Sequence, residues 1–451
     1  MTKKLFIIFL LGLLLRLILS VMGHNGDIDN YHIVWAKSVV DSGLPGFYRR
    51  KFIYGIANYP PLSILMFAGL YKLYFLIDAV LWKINTTVSL FPSHLVVLWR
   101  IQSVMMPAMM KLPAILADLG LAYLLYRWTK KPLAAALVLF NPAFFYNSSY
   151  WGQIDVVPIL FVMWAFYRLY HPELDSGSRT DWIPGQARND NYSYLQSSVL
   201  FTIALLIKQT VIVFLPLYLL LIWKKSGWRK MLFSFIPAII TMYIIFLPFY
   251  RSGNLLLFAP VTFWDKITAG FGSVYLTAHA FNFWGLITGF GHIPDGPWRY
   301  ISLSFVGLMS AAVLYLVYKR GFKKTDIVWA GFLIPWTVFL FATRMHERHL
   351  MLTLPFLLIA AIQPHFAKAS RGKQFNNTTM VAIFVFISLF HFLNLYSGWW
   401  SPPIPFLITI FSPDIVIKLL ITITIMLYFY LYYCFLWKNN PKIPDRGFSN
   451  I

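Results

Sequence analysis

The sequence predicts an all-α polytopic membrane protein, a bundle of 12–14 transmembrane helices with a large first outer loop carrying interfacial helices. Three observations carry that expectation. The chain has 451 residues, 59% hydrophobic and only 12% charged, where soluble domains carry about 25% charged residues. Its apolar residues come in runs of about 20, the length of a helix that crosses a bilayer, and none alternates as a β-barrel strand would. The basic residues cluster between the runs, at Arg127/Lys130/Lys131, Lys224/Lys225/Arg229/Lys230, Lys319/Arg320/Lys323/Lys324, Lys368/Arg371/Lys373 and Lys438/Lys442. The net charge of +22 is therefore assigned to the positive-inside pattern of cytoplasmic loops, not to nucleic-acid binding. The single cysteine, Cys434, rules out a disulfide framework or a cysteine metal site.

The first span covers about 4–22, behind Lys3 and Lys4, which puts the N-terminus in the cytoplasm. The run lacks a small-residue cleavage site and reads as an uncleaved span. Residue 23 onward is then outside. Further helices are expected near 110–127, 132–147, 156–170, 194–208, 211–223, 231–249, 300–318, 326–342, 350–366, 380–396 and 414–436. Alternating them puts every basic cluster inside. It puts Trp151–Asp155, Lys208–Gln209, residues 250–299, Arg344–His349 and Trp399–Pro405 outside. Lys208 and Lys225 bracket a short helix, so 194–223 is expected to be irregular. Residues 62–106 have two readings: a pair of spans, Leu62–Leu81 and Val88–Met106, or an amphipathic pair lying in the outer interface. His171–Tyr194 reads as a tolerated polar insertion, and the tail after Trp437 is short and basic. The expected organisation is a catalytic module over 1–366, including the outer loop 23–106, followed by C-terminal helices and tail over 367–451.

The remaining polar residues fall at the outer ends of spans: Asp27, Asp29, Asn58–Pro61, Trp151–Asp155, Lys208–Gln209, Asp265 and Arg344–His349. Ionisable groups at membrane depth are costly, so this common sidedness implies a shared cavity. The outer face has no nucleotide sugars or ATP. A transferase there needs an activated donor that is itself a membrane lipid, and a polyprenyl-phosphate sugar fits. Lys208, Arg344, Arg348 and His346 are the candidates to neutralise its phosphate. Asp27 is the candidate to accept the proton of the acceptor hydroxyl. In extended backbone Asp27 and Asp29 face the same way, which suits one base and one positioning or metal-binding carboxylate. The alternative is that Asp27 caps a helix over 29–41.

Asp155, Gln153 and Trp151 are candidates to bind acceptor or orient the base, against a plain polar linker. Tyr146, Tyr150 and Trp151, with Trp399 and Trp400, are either interfacial belt residues or covers for sugar rings. Tyr59-Pro60-Pro61-Leu62 reads as a rigid helix start. Lys208 stands against the charge rule, as partner of a bound anion or as a snorkelling lysine. For Arg344–His349 the alternative is an internally neutralised turn in which Glu347 pairs with Arg344 or Arg348. Asp118 lies inside a span, and an ion pair with Lys111 or Arg16 is expected.

Gly26-Asp27, Tyr59-Pro60-Pro61-Leu62, Asn141-Pro142 leading into Trp151-Gly152-Gln153-Ile154-Asp155, Lys208-Gln209 and His346-Glu347-Arg348 follow one another in a familiar order. The chain resembles the C-type integral-membrane glycosyltransferases (GT-C) over roughly residues 1–360. Within them it is similar to prokaryotic proteins like the second mannosyltransferase of GPI-anchor synthesis and, more distantly, to dolichyl-phosphate-glucose glucosyltransferases. The resemblance implies inverting transfer of one sugar, mannose or another hexose, from a polyprenyl phosphate to a glycan, lipid or protein acceptor at a prokaryotic plasma membrane. It carries the base onto Asp27 and donor-phosphate contacts onto Lys208 and His346, without a metal. No cofactor is expected, a divalent cation on Asp27 and Asp29 being the alternative. The chain departs from the glucosyltransferases at Asp29, where Glu is frequent, and at His346-Glu347-Arg348-His349, where Lys or Tyr often stands. These departures bear on the sugar and the acceptor. Two other function classes compete: a flippase or transporter of lipid-linked sugars, and a polysaccharide ligase or polymerase using a diphosphate-linked donor.

Overall fold

In the computed structural model the chain is helical almost throughout, with one parallel pair of two-residue strands, Thr277–Ala278 and Met345–His346, among the described residues. The structure describes residues 2–170, 193–269, 274–363 and 377–437. Most of the polar insertion 171–194, the Lys368/Arg371/Lys373 cluster and the tail after Trp437 lie outside them. Eight helices among the described residues are long and apolar enough to cross a membrane: Lys3–Met22, Pro61–Thr87, Gln102–Thr129, Gln209–Phe233, Trp298–Lys319, Lys324–Phe341, Thr378–Ser397 and Asp414–Trp437. Three shorter apolar helices join them, Val156–Tyr170, Ser193–Ile207 and Phe235–Phe249. The architecture is that of an all-α, multi-pass membrane protein. Two compact units share the chain, Met1–Val274 with His391–Ile404, and Tyr275–Phe390 with Pro405–Ile451.

The first unit begins with α1 (Lys3–Met22), α2 (Val34–Ser42), α3 (Pro61–Thr87), α4 (His94–Trp99) and α5 (Gln102–Thr129). Helix α5 runs antiparallel to α1, and buried charges fix the pairing. Arg16 Nε meets Asp118 Oδ2 at 2.7 Å, both side chains fully buried. Arg16 also donates to Gly12 O and Leu139 O, and Ser148 Oγ donates to Asp118 Oδ2 at 2.6 Å. The expected pairing of Asp118 is thus with Arg16. Lys111, about two turns earlier, donates instead to the terminal carbonyls of α1, Ser20 O and Gly23 O. The last carbonyls of a helix have no partner within it, and in a bilayer there is no water to supply one.

The start of α5 settles the course of residues 88–106. The segment 88–106 divides between the six-residue α4 and the first turn of α5, so it does not return as a span of its own. The middle of α3 is tied to the approach to α5: Tyr74 Oη donates to Trp99 O at 2.8 Å, and Asp78 pairs with Arg100 at 2.8 Å. Pro61 stands at the first position of α3, where its missing N–H costs nothing. Phe67 of α3 stacks on His32 at 4.2 Å. Both the start and the middle of α3 therefore lie on the side where α1 ends.

Beyond α5 come α6 (Pro132–Leu139), α7 (Pro142–Phe145), α8 (Val156–Tyr170), α9 (Ser193–Ile207), α10 (Leu215–Phe233), α11 (Phe235–Phe246) and α12 (Leu255–Ala269). The helix expected over 132–147 breaks at Asn141-Pro142. The Asn141 side chain accepts from Ala143 N at 3.0 Å, a cap with proline just behind it. The helix expected over 194–208 ends at Lys208, which is extended (φ −152°, ψ 124°), and a 3-10 turn over Gln209–Phe214 follows. The irregularity foreseen for 194–223 sits there.

In the second unit, α13 (Phe283–Thr288), α14 (Trp298–Lys319), α15 (Lys324–Phe341), α16 (Leu354–Ile362) and α19 (Asp414–Trp437) pack together, with α17 (Asn377–Ser397) and α18 (Pro405–Phe411) between them in the chain. Helix α15 is buried nearly all round. A Cβ at Gly331 would lie 2.5 Å from the Phe356 ring, so the α15–α16 contact needs a glycine there. Side-chain hydrogen bonds lock the helices as expected where lipid supplies no hydrophobic drive: Trp284 Nε1 donates to Phe341 O at 2.9 Å, and the Thr337 and Tyr428 hydroxyls meet at 2.6 Å.

Removing one partner of a buried ion pair leaves the other charge uncompensated. Asp118→Leu should therefore lower stability by about 3–5 kcal/mol, whereas Arg16→Met with Asp118→Leu should recover most of that loss. Thermal unfolding of the purified protein in detergent checks both.

Candidate functional site

The first unit gathers the candidate residues around the exit of α1. After Gly23 the chain forms a π-helical turn, Ile28–Ile33, that runs straight into α2. A second π turn, Tyr146–Trp151, precedes the Gly152-Gln153-Ile154-Asp155 segment. Such turns are rare and recur at functional sites. The two segments are fastened to each other. Asn25 N donates to Trp151 O at 3.0 Å, and Gln153 Nε2 donates to Asp27 Oδ2. Gly152 has a left-handed φ of +97°, and a Cβ on it would fall 2.2 Å from Ile28 Cδ1. Only glycine permits both the turn and the approach of the first loop.

The helical backbone changes the relation between the two aspartates. Asp27 is in the right-handed helical region (φ −58°, ψ −33°), not extended. Residues two apart on such a backbone point to opposite sides. Asp27 turns to Gln153, while Asp29, exposed, pairs with His24 at 2.7 Å. The two carboxylates thus have separate partners, Gln153 and His24. Asp27 makes no capping hydrogen bond either; Asn25 Oδ1 accepts from Asp27 N at 3.0 Å and holds the turn.

From Asp27 a chain of contacts leads to Lys208. Tyr59 Oη donates to Gln153 Oε1 at 3.4 Å, which orients the Gln153 amide toward Asp27. Lys208 Nζ lies 5.3 Å from the Tyr59 ring centroid and forms a 2.6 Å ion pair with Asp155 Oδ1, both side chains about 5% exposed or less. Lys208 is thus neutralised within the protein. Ser63 Oγ donates to Ile207 O at 2.6 Å, satisfying a carbonyl that the break at Lys208 leaves open. The aromatic residues singled out from sequence also meet. Tyr146 Oη donates to Ser401 O at 2.6 Å, and the Trp399 ring lies 5.6 Å from Tyr150 and 6.0 Å from Trp151.

Several buried polar atoms around this cluster have no hydrogen-bond partner among the described residues: Trp151 Nε1, both amide atoms of Asn147, Gln209 Oε1 and both ring nitrogens of His391. Each such atom costs about 1–3 kcal/mol unless something satisfies it. His391, fully buried, went unnoticed in the sequence because it sits mid-run among apolar neighbours. Lys266 was also missed. It is 6% exposed, donates to Ala57 O at 2.8 Å, and lies 4.8 Å from the Tyr48 ring centroid. Burial holds its ammonium below the ordinary lysine range, only partly offset by the neighbouring Asp265. Asp265 itself is exposed.

The remaining candidates form a cluster of their own in the second unit. Arg344 has a positive φ of 64°, and its N–H is held by Tyr275 O and Leu276 O. Its guanidinium grips Asp295 at 2.6 and 3.0 Å. Burial raises the Asp295 carboxyl, but the hydrogen bonds and charge of Arg344 outweigh it and hold the group below the usual range. Arg348 pairs with Glu347 at 3.0 Å, and His346 Nδ1 lies 3.8 Å from Glu347 Oε2. His349 Nδ1 accepts from His346 N at 3.2 Å, capping the 3-10 turn Glu347–Thr353. The neutralised turn weighed from sequence is present, with Arg348 as the partner of Glu347. Arg344 finds its own acid 49 residues away. Among the described residues no three His, Cys, Asp or Glu side chains converge as metal ligands.

No family model matches the chain, and no curated protein is significantly similar to it. What the fold defines is a class, the all-α multi-pass membrane proteins, here with a polar cluster at one end of α1.

The Gly152 contact yields a direct check on the site's construction. Gly152→Ala should cost about 1–3 kcal/mol through overpacking and strained backbone. Pairing it with Ile28→Ala should return the steric share, read as a partial recovery of melting temperature.

Proposed function

We propose that the chain is a C-type integral-membrane glycosyltransferase that moves one hexose from a polyprenyl-phosphate donor to a glycan, lipid or protein acceptor, with inversion. One observation supports this above the others. Eleven Asp and Glu residues are described; eight pair with a lysine or arginine and Asp29 meets His24, which leaves Asp27 and Asp265. Asp27 is held by a neutral amide, Gln153, and is half-buried at the rim of the polar cluster. A carboxylate oriented by a neutral group keeps its charge available for proton abstraction.

In this reading Asp27 takes the proton of the acceptor hydroxyl as the acceptor oxygen attacks the anomeric carbon. The bond from that carbon to the phosphate oxygen breaks, and polyprenyl phosphate leaves as an anion. Gln153, held by Tyr59, keeps the base in place, and Asp155 keeps Lys208 in place. The unsatisfied Trp151 Nε1 and Asn147 amide suit sugar hydroxyls. His346, Arg348 and Arg344 remain candidates for the donor phosphate; Arg344 and Arg348 each already hold a carboxylate. With α1 leaving the cytoplasm, the cluster faces the outside of a prokaryotic plasma membrane and both termini stay inside. Helix α3 then lies as an interfacial element, leaving the parity of the later spans unchanged.

Purified protein given a radiolabelled polyprenyl-phosphate hexose should transfer the label to an acceptor. Asp27→Asn should lower turnover by at least about 100-fold while donor binding stays unchanged. Full activity in that variant removes Asp27 as the base.

A further inference from the structure

We infer that Lys266 and Gln209 form an anion-binding subsite that takes the phosphate of a lipid, an inference that rests on the donor class proposed above. Four cations in the first unit are buried: Arg16, Lys111, Lys208 and Lys266. Arg16 and Lys208 have carboxylate partners, and Lys111 sits on the carbonyl end of α1, where the helix dipole favours a cation. Lys266 has neither. Among the described residues its ammonium makes one hydrogen bond, to Ala57 O, and faces the Tyr48 ring. An ammonium has three protons to donate, and a buried cation without an anion is costly.

Gln209 stands beside it with an unused acceptor. Its Nε2 donates to Lys266 O at 3.1 Å and to Asn58 O at 3.3 Å, while Oε1 is buried without a partner. One group short of an anion and another short of a hydroxyl match a sugar phosphate. The neighbourhood also favours a lipid over a free anion. An apolar cavity of about 180 Å³ lies among α9, α10, α11 and α12, with Phe263 and Leu206 in its wall. Phe263 precedes Lys266 by three residues on α12, so the two share a helix face. Leu206 precedes Gln209 by three residues across the break at Lys208. Helix α12, and the chain crossing from α9 into the 3-10 turn, thus run from hydrocarbon-lined space to the polar pair, the layout an amphiphile with an anionic head requires.

The test titrates the full-length protein in phosphatidylcholine nanodiscs with farnesyl phosphate, read by native mass spectrometry. Wild type and Asp27→Asn should bind alike, and Lys266→Met should bind at least about 10-fold more weakly, the loss of one charge-assisted hydrogen bond. Lys266→Arg should stay near wild type. If Lys266→Met aggregates, Lys266→Gln, which keeps a donor for Ala57 O, must show the same loss. Equal binding by wild type and the Met or Gln variant overturns the subsite and leaves the transferase reading standing. No binding by wild type overturns both. Inorganic phosphate should displace the probe only at a concentration about 100-fold higher, since it buries no chain; displacement at equal concentration assigns the site to free phosphate and overturns the lipid.

Discussion

The Lys111 ammonium on the last carbonyls of α1 is the contact on which the rest of the site depends. A helix that stops at the membrane boundary leaves carbonyl groups that must be satisfied, and irregular backbone at that depth survives only where protein covers it. Lys111 supplies donors to Ser20 O and Gly23 O, so the chain leaves α1 along one path. That path brings Asn25 to Trp151 O and lays Ile28 on Gly152. The Gln153 amide then reaches Asp27. Arg16 and Asp118, buried between the same two helices, fix their register from within.

Charge is managed pair by pair throughout this bundle. Arg16 is matched by Asp118, Lys208 by Asp155, Arg344 by Asp295 and Arg348 by Glu347. Buried pairs of this kind are weak evidence for stability, because desolvation offsets most of their attraction. Their value here lies in what they leave over. Once the internal pairs are subtracted, Asp27 is left held by a neutral amide and the buried Lys266 by a backbone carbonyl. With Lys208 paired to Asp155, the buried cation without a carboxylate at ion-pair distance or a helix-end role like that of Lys111 is Lys266, which is less conspicuous in the sequence.

Much of this could be read in the sequence because its signals are local. Pro61 at a helix start and the weak helix around Lys208 follow from backbone chemistry within a few residues; the Asn141-Pro142 cap carries an equally local signal, but the helix expected over 132–147 runs through it. The Arg16–Asp118 pair follows from the cost of lone charges in a span. The rest depends on tertiary contacts. The π turn at Ile28–Ile33 is selected by packing against Gly152, so Asp27 and Asp29 diverge where an extended strand would have aligned them. The fusion of residues 102–129 into one helix overrides two internal prolines, Pro107 and Pro113. Lys266 looks like any lysine near an interface until Ala57, Tyr48 and Gln209 close around it.

The central claim is a chemical one, that a single sugar changes hands with inversion at its anomeric carbon. The most direct measurement incubates the purified protein with polyprenyl-phosphate hexoses of defined anomeric configuration and an acceptor. Mass spectrometry then gives the mass of the product, and proton NMR couplings give its anomeric configuration. The account predicts an acceptor heavier by one hexose, free polyprenyl phosphate, and the opposite anomeric configuration. Retained configuration, or intact donor carried across proteoliposomes without bond cleavage, contradicts it.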